Sequence, residues 1–157
     1  MAVAQLAQLA TLTARQIRQS IRGRTKFFVY STAPVTIPAI VGGVMGQVQA
    51  LINIDGDSHF FCTGLTGHYF ITGTLLMTNP QLHAEPEVWL QDQSTGFNMT
   101  DRPVRWGNII GTGERHFPVE PAYLCRARSA INVTFLNPET VAHVAQVSLL
   151  GYKVYLR

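Results

Sequence analysis

Asp55, Asp57 and His59 stand at alternate positions, so an extended chain would point all three to one side, where they could grip a cation. The set falls short of a calcium loop: no third oxygen ligand precedes Gly56, and no glutamate follows at the twelfth position. Asp55-Gly56 fits better as the turn of a tight hairpin. His59, His68, His83, His116 and His143 are scattered, and none of their spacings projects two imidazoles from one strand or one helical turn onto zinc. No metal or other cofactor is expected.

Other chemistries fare no better. Gly111-Thr112-Gly113 resembles a fragment of a phosphate-cradling loop, but no Gly-Lys-Ser/Thr follows it. A serine nucleophile lacks its Gly-x-Ser-x-Gly elbow. Glu85 and Glu87 flank Pro86 in what should be an exposed loop, without the burial that tunes a carboxyl for acid–base work. Cys62 and Cys125 each follow apolar neighbours and form no CxxC pair, so they read as buried free thiols, with a bridge between them as the alternative. The chain reads as a non-enzyme.

The charge distribution is more informative. Arg15, Arg18, Arg22, Arg24 and Lys26 are the charged residues of positions 1–30, whereas the remainder carries a net −2 within a total of +3. Val3, Leu6, Leu9, Ile17 and Ile21 recur at spacings near multiples of three and four, which predicts a helix with one apolar stripe. Arg15, Arg18 and Arg22 form a second, basic stripe on it, and Gly23 ends it. Residues 1–26 are therefore expected to form a basic amphipathic helical arm, packed on its own domain or laid along a partner. Its cations could neutralise phosphates, yet the remainder offers no basic, aromatic-studded sheet, so direct nucleic-acid contact is disfavoured. The start lacks the features of a secretory signal, although an Arg-rich, acid-free segment also suits a mitochondrial transit peptide.

After Gly23 the pattern changes to strand period. Phe27 to Tyr30 is a short apolar run. Val44, Val48, Ile52 and Ile54 share one parity, and His59 to Thr63 reads as the strand returning from the Asp55-Gly56 turn. Phe70 to Met77 and Val88 to Gln91 are further candidates. Ile131, Val133 and Phe135 alternate with Asn132 and Thr134, and Val144 to Tyr155 forms a long closing strand. Between Phe97 and Tyr123 the prolines and glycines predict a long irregular loop, whose Trp106, Ile109 and Ile110 suit a partner contact. With no βαβ rhythm, the expected fold is all-β: a jelly-roll-type β-sandwich over residues 27–157 behind an N-terminal α-helical arm.

Only 13% of the residues are charged while 46% are hydrophobic, against roughly 25% charged in ordinary soluble domains. No apolar run reaches the ~18 residues of a membrane span. The missing polar coating therefore points to surface covered by other protein subunits.

The basic arm, Lys26-Phe27-Phe28-Val29-Tyr30, Asn53-Ile54-Asp55-Gly56-Asp57, the segment from Gly64 to Thr72 and the late Gly111-Thr112-Gly113 follow in an order that resembles the jelly-roll capsid cement (decoration) proteins of short-tailed bacteriophages. That resemblance implies a structural virion protein, made in the host cytoplasm and bound to the capsid exterior. There it would bridge major capsid protein subunits and stabilise the DNA-filled head as a homo-oligomer, a dimer or a trimer. Arg15, Arg18, Arg22, Arg24, Lys26, Trp106, Ile109 and Ile110 are the expected capsid-binding residues. The alternative is a tail or fibre jelly roll binding host carbohydrate, which should show a clustered aromatic and acidic loop end.

Overall fold

The computed structural model describes residues 25–72, 84–112 and 114–155. Among these residues nine strands and one helical turn follow in order: β1 (Thr25–Ser31), β2 (Val35–Ile37), β3 (Gly46–Asn53), β4 (Ser58–Ile71), β5 (Glu87–Asp92), β6 (Val104–Arg105), α1 (Trp106–Ile109), β7 (Phe117–Cys125), β8 (Ala130–Asn137) and β9 (His143–Tyr155). One sheet runs β1-β9-β4-β7, with β2 also on β9; the other runs β3-β8-β5-β6. Because β1 and β2 pair with successive stretches of β9, they act as one interrupted strand. The chain thus folds as nested antiparallel pairs, β1/β2 with β9, β3 with β8, β4 with β7 and β5 with β6. This is the strand order of a jelly roll.

Alternation selects what enters the core. Ile131, Val133 and Phe135 of β8 face Ala145, Val147 and Leu149 of β9 across one apolar cluster, all of them without exposed surface. Burying a side chain of this size stabilises by about 1.5–3 kcal/mol, so each such strand is held in register by its apolar parity. Cys62 and Cys125 lie in this cluster as free thiols. Burial pushes the Cys62 thiol up to about 12 and Cys125 well above its ordinary value.

Two expectations are corrected. The Asp55-Gly56 segment is no hairpin: β3 pairs with β8, while β4 pairs with β7 and β9. It is a crossover between sheets, paired instead with the β7–β8 crossover through Ile54 N–H to Ser129 O (2.9 Å) and Arg128 N–H to Asp55 O (3.3 Å). Turn chemistry sets a change of direction but does not say which strands will pair. The segment from Phe97 to Tyr123 is not one irregular loop either, since it contains β6, α1 and most of β7. β7 lies at a sheet edge, where Pro118 and Pro121 can be accommodated without costing the interior ladder.

β1 begins at Thr25, so Lys26 belongs to the sandwich. The helix expected before it lies outside the described residues, as does the strand expected from Phe70 to Met77 beyond Thr72; Phe70 and Ile71 belong to β4.

Candidate functional site

The connection from β2 to β3 ends in a rigid apolar tip. Val41 and Val44 exchange backbone hydrogen bonds of 3.1 and 3.0 Å around Gly42 and Gly43, whose φ angles of 60° and 80° give the twist of a two-residue hairpin that other residues adopt only with strain. The base is fixed from below. Asn137, fully buried, donates through its amide to Pro38 O (3.0 Å) and Val141 O (2.7 Å), and accepts from Glu139 N–H (2.9 Å). Above that base Val41 is 76% exposed, Val44 72% and Met45 42%. A tip already held in one conformation loses little freedom when it enters a partner.

Beside the tip is a cleft of about 570 Å³ lined by Met45, Glu85, Glu87, Arg105, Asn108 and others. Glu85 is partly committed, since its carboxylate accepts the Gly107 N–H at 3.0 Å. The arrangement places apolar contact area next to charged groups of both signs, the anatomy of a protein-binding patch with a polar rim.

A second cavity, of about 490 Å³, opens at the β5–β7 side and is lined by residues including Phe97, Met99, Ile109, Phe117, Glu120 and Tyr123. Phe97 stacks on Tyr123 at 5.5 Å between ring centroids. The Tyr123 phenol donates to Asp92 at 2.8 Å, and burial pushes it up to about 12. Asp92, itself fully buried, also accepts from the backbone and hydroxyl of Ser94. This network fixes the turn that carries Phe97.

The candidates for metal or catalytic chemistry are otherwise engaged. Asp55 pairs with Lys153, and His59 accepts the Ala127 N–H at 3.1 Å through Nδ1. His68 stacks on Phe70, and His143 is buried against Tyr69. Among the described residues no group of three metal-ligating side chains converges.

The expected capsid-binding residues fall into three groups. Arg15, Arg18, Arg22 and Arg24 lie outside the described residues. Lys26 is exposed on edge strand β1. Trp106, Ile109 and Ile110 were expected to face a partner, but Trp106 and Ile110 are 5% and 4% exposed and belong to the core; only Ile109 reaches a cavity wall. The single turn α1 drives the Trp106 indole inward beside Tyr69 and Phe135. Gly67 leaves room for it, since a Cβ there would lie 2.8 Å from the indole and 2.5 Å from Gln146 O. The valine tip was missed, although Gly42-Gly43 between apolar residues was a readable turn signal.

Neither the comparison with protein families nor that with curated proteins finds a match. Among solved structures, the crystal structure of the infectious bursal disease virus VP2 subviral particle is similar over 85% of this chain, at 13% identity and a TM-score of 0.30. The chain spans 38% of that protein's length. The jelly-roll assignment rests on strand order, not on this likeness.

Proposed function

We propose that this chain is a structural virion protein, a cement module that docks on the outer capsid lattice and bridges neighbouring major capsid protein subunits. The observation that carries the reading is the rigid tip at Val41, Val44 and Met45, an apolar surface held out from the body beside a charged cleft. Such a patch suits a protein partner that supplies an apolar hollow and complementary charge. The low charge content and the resemblance of the sequence to phage cement proteins support a lattice as that partner. Many copies on one lattice then turn modest single contacts into firm attachment.

The Arg residues of the arm and Lys26 supply the second contact in this reading, through bidentate or single bonds to acidic capsid side chains. The test is backbone hydrogen exchange of the chain free and bound to capsid shells lacking their decoration protein. Slowed exchange at residues 40–46 on the shells supports the reading; unchanged exchange there, with the chain bound, removes the tip from it.

A carbohydrate-binding tail or fibre module stands as a second reading, because Phe97, Phe117, Tyr123 and Glu120 gather around the β5–β7 cavity. Saturable binding to a glycan array that Phe97→Ala abolishes would favour it.

A further inference from the structure

The sandwich has one side almost without charge. From Phe27 to Ile54 the sequence holds no acidic or basic residue, and this run supplies β2, β3 and all of β1 after Lys26, with β2 beside β3 across the two sheets. β3 is the edge of its own sheet there. Its backbone is open on that edge. Ala130 O of β8 accepts the Gln93 N–H at 2.9 Å, and Ser129 O accepts the Ile54 N–H at 2.9 Å. Even-numbered residues of β8 therefore turn their backbone groups to β5 and odd-numbered ones to β3. The odd residues of β8 face even residues of β3, so Gln47, Gln49, Leu51 and Asn53 aim their N–H and C=O groups away from the sheet. All four residues are exposed, and among the described residues no strand pairs with them on that side.

The other edges are guarded against the addition of a strand. β7 carries Pro118 and Pro121 and a break in register, β6 is only Val104–Arg105, and β1 carries Lys26. Prolines, bulges, charges and shortness are the devices that keep a sheet edge from pairing. β3 has none of them: it runs for 8 residues without a proline or a charge, and its pairing with β8 is unbroken.

We propose that the β3 edge pairs with the β3 of a second copy, antiparallel about a two-fold axis through Ala50. A charged partner would bring its charges against a side with none to pair them, whereas a second copy brings a strand equally free of charge. The register centred on Ala50 sets Gln47 opposite the second copy's Asn53 and Gln49 opposite its Leu51, so the four open residues of each strand meet as hydrogen-bonded pairs. Between them Ala50 meets its own twin, and Val48 meets the second copy's Ile52. Val48 and Ala50 pack on the core cluster yet are only half-buried, and the added strand completes their burial. A contact of one surface with itself closes at two copies. The two valine tips then leave the joined strands at Gly46 of each copy, about 27 Å apart along the strand direction. Resting on the capsid reading, this supplies bridging with its two contacts, one tip for each neighbouring subunit; the pairing itself needs no capsid.

The test is sedimentation of the full chain without shells, from about 1 to 100 µM. The proposal expects a reversible dimer. Gln49→Lys with Leu51→Lys sets like charges directly opposite across the axis, and should raise the dissociation constant at least about tenfold with the far-ultraviolet spectrum unchanged. A monomer throughout, or an assembly larger than two, overturns the proposal. A dimer that the two lysines leave equally tight also overturns it, since the contact would then lie elsewhere. Oxidation checks the register without a disruptive variant. Ala50→Cys should form disulfide-linked dimers, whereas Val48→Cys, whose twin lies about 14 Å away along the pair, should not. Cys62 and Cys125 are buried and take no part. Linkage of both variants alike, of Val48→Cys alone, or of neither contradicts the register. A dimer that no capsid shell binds would remove the capsid reading and leave the pairing standing.

Discussion

The ammonium of Lys153 is held by the carboxylate of Asp55 and lies 3.8 Å from the centroid of the Phe28 ring. The contact ties β9 to the crossover between β3 and β4. Tyr30 extends it, because its phenol oxygen accepts the Asp55 N–H at 3.1 Å. The Lys153 side chain is 6% exposed and that of Asp55 52%, so only one partner has given up most of its water.

That asymmetry makes the two partners unequal in mutation. Asp55→Ala strands a buried ammonium and should cost about 1–2 kcal/mol, less than a fully buried pair because water reaches the site. Lys153→Met removes the buried charge with it and should stay within about 1 kcal/mol of the parent. Urea denaturation of both variants checks the order.

The same pair sets a pH dependence. The hydrogen bond from Lys153 holds the Asp55 carboxyl below its ordinary 3.8. Its contribution is therefore complete above that value and is lost as pH falls through the lowered one. Burial pulls the Lys153 ammonium down, but the hydrogen bonds to Asp55 and Tyr30 and the attraction of both groups together outweigh it, and the net value lies above 10.5. This second contribution is present below 10.5 and lost as pH rises through the raised value. Thermal melts should show a flatter acid limb in Asp55→Asn than in the parent.

Cys62 and Cys125 should be inert in the folded chain. A thiol pushed to about 12 holds almost no thiolate at pH 8, and both side chains are without exposed surface. A coloured disulfide reagent should therefore react with neither before unfolding and with both after it.

Gly67→Ala should destabilise by about 1–3 kcal/mol, because the new methyl would press on the Gln146 carbonyl and the Trp106 ring. The change in Trp106 fluorescence on unfolding, followed against urea, measures it.

Val41→Asp with Val44→Asp should leave stability within about 0.5 kcal/mol, since both side chains already face solvent. On capsid shells the same pair should weaken attachment by about 2 kcal/mol per subunit, roughly thirtyfold. Unaltered binding would move the contact elsewhere on the body.

What was legible in the sequence follows from which strands bury only one face. β8 and β9 announced themselves because Ile131, Val133 and Phe135, and then Ala145, Val147 and Leu149, alternate with residues of the other face, which are half-buried apart from the buried Thr134. β4 was harder: its bulge between Cys62 and Gly64 breaks the alternation, and fully buried Phe61 makes its start apolar on both faces. β7 was hidden by Pro118 and Pro121, which look like loop punctuation unless the strand is known to be an edge. The site was less legible than the fold. Trp106 and Ile110 looked like contact residues because their surroundings are rich in glycine and proline, but a single helical turn drives both inward. Val44 was read into the β3 strand, whereas it belongs to the turn that displays it.

The central claim is attachment to a capsid lattice, and co-sedimentation tests it most directly. Purified full-length chain is mixed with empty phage shells stripped of their decoration protein, at low and at high salt. The account predicts saturable pelleting with the shells, weakened by salt through the basic contacts and retained in part through the apolar tip. A chain that stays in the supernatant with every such shell at low salt would contradict it.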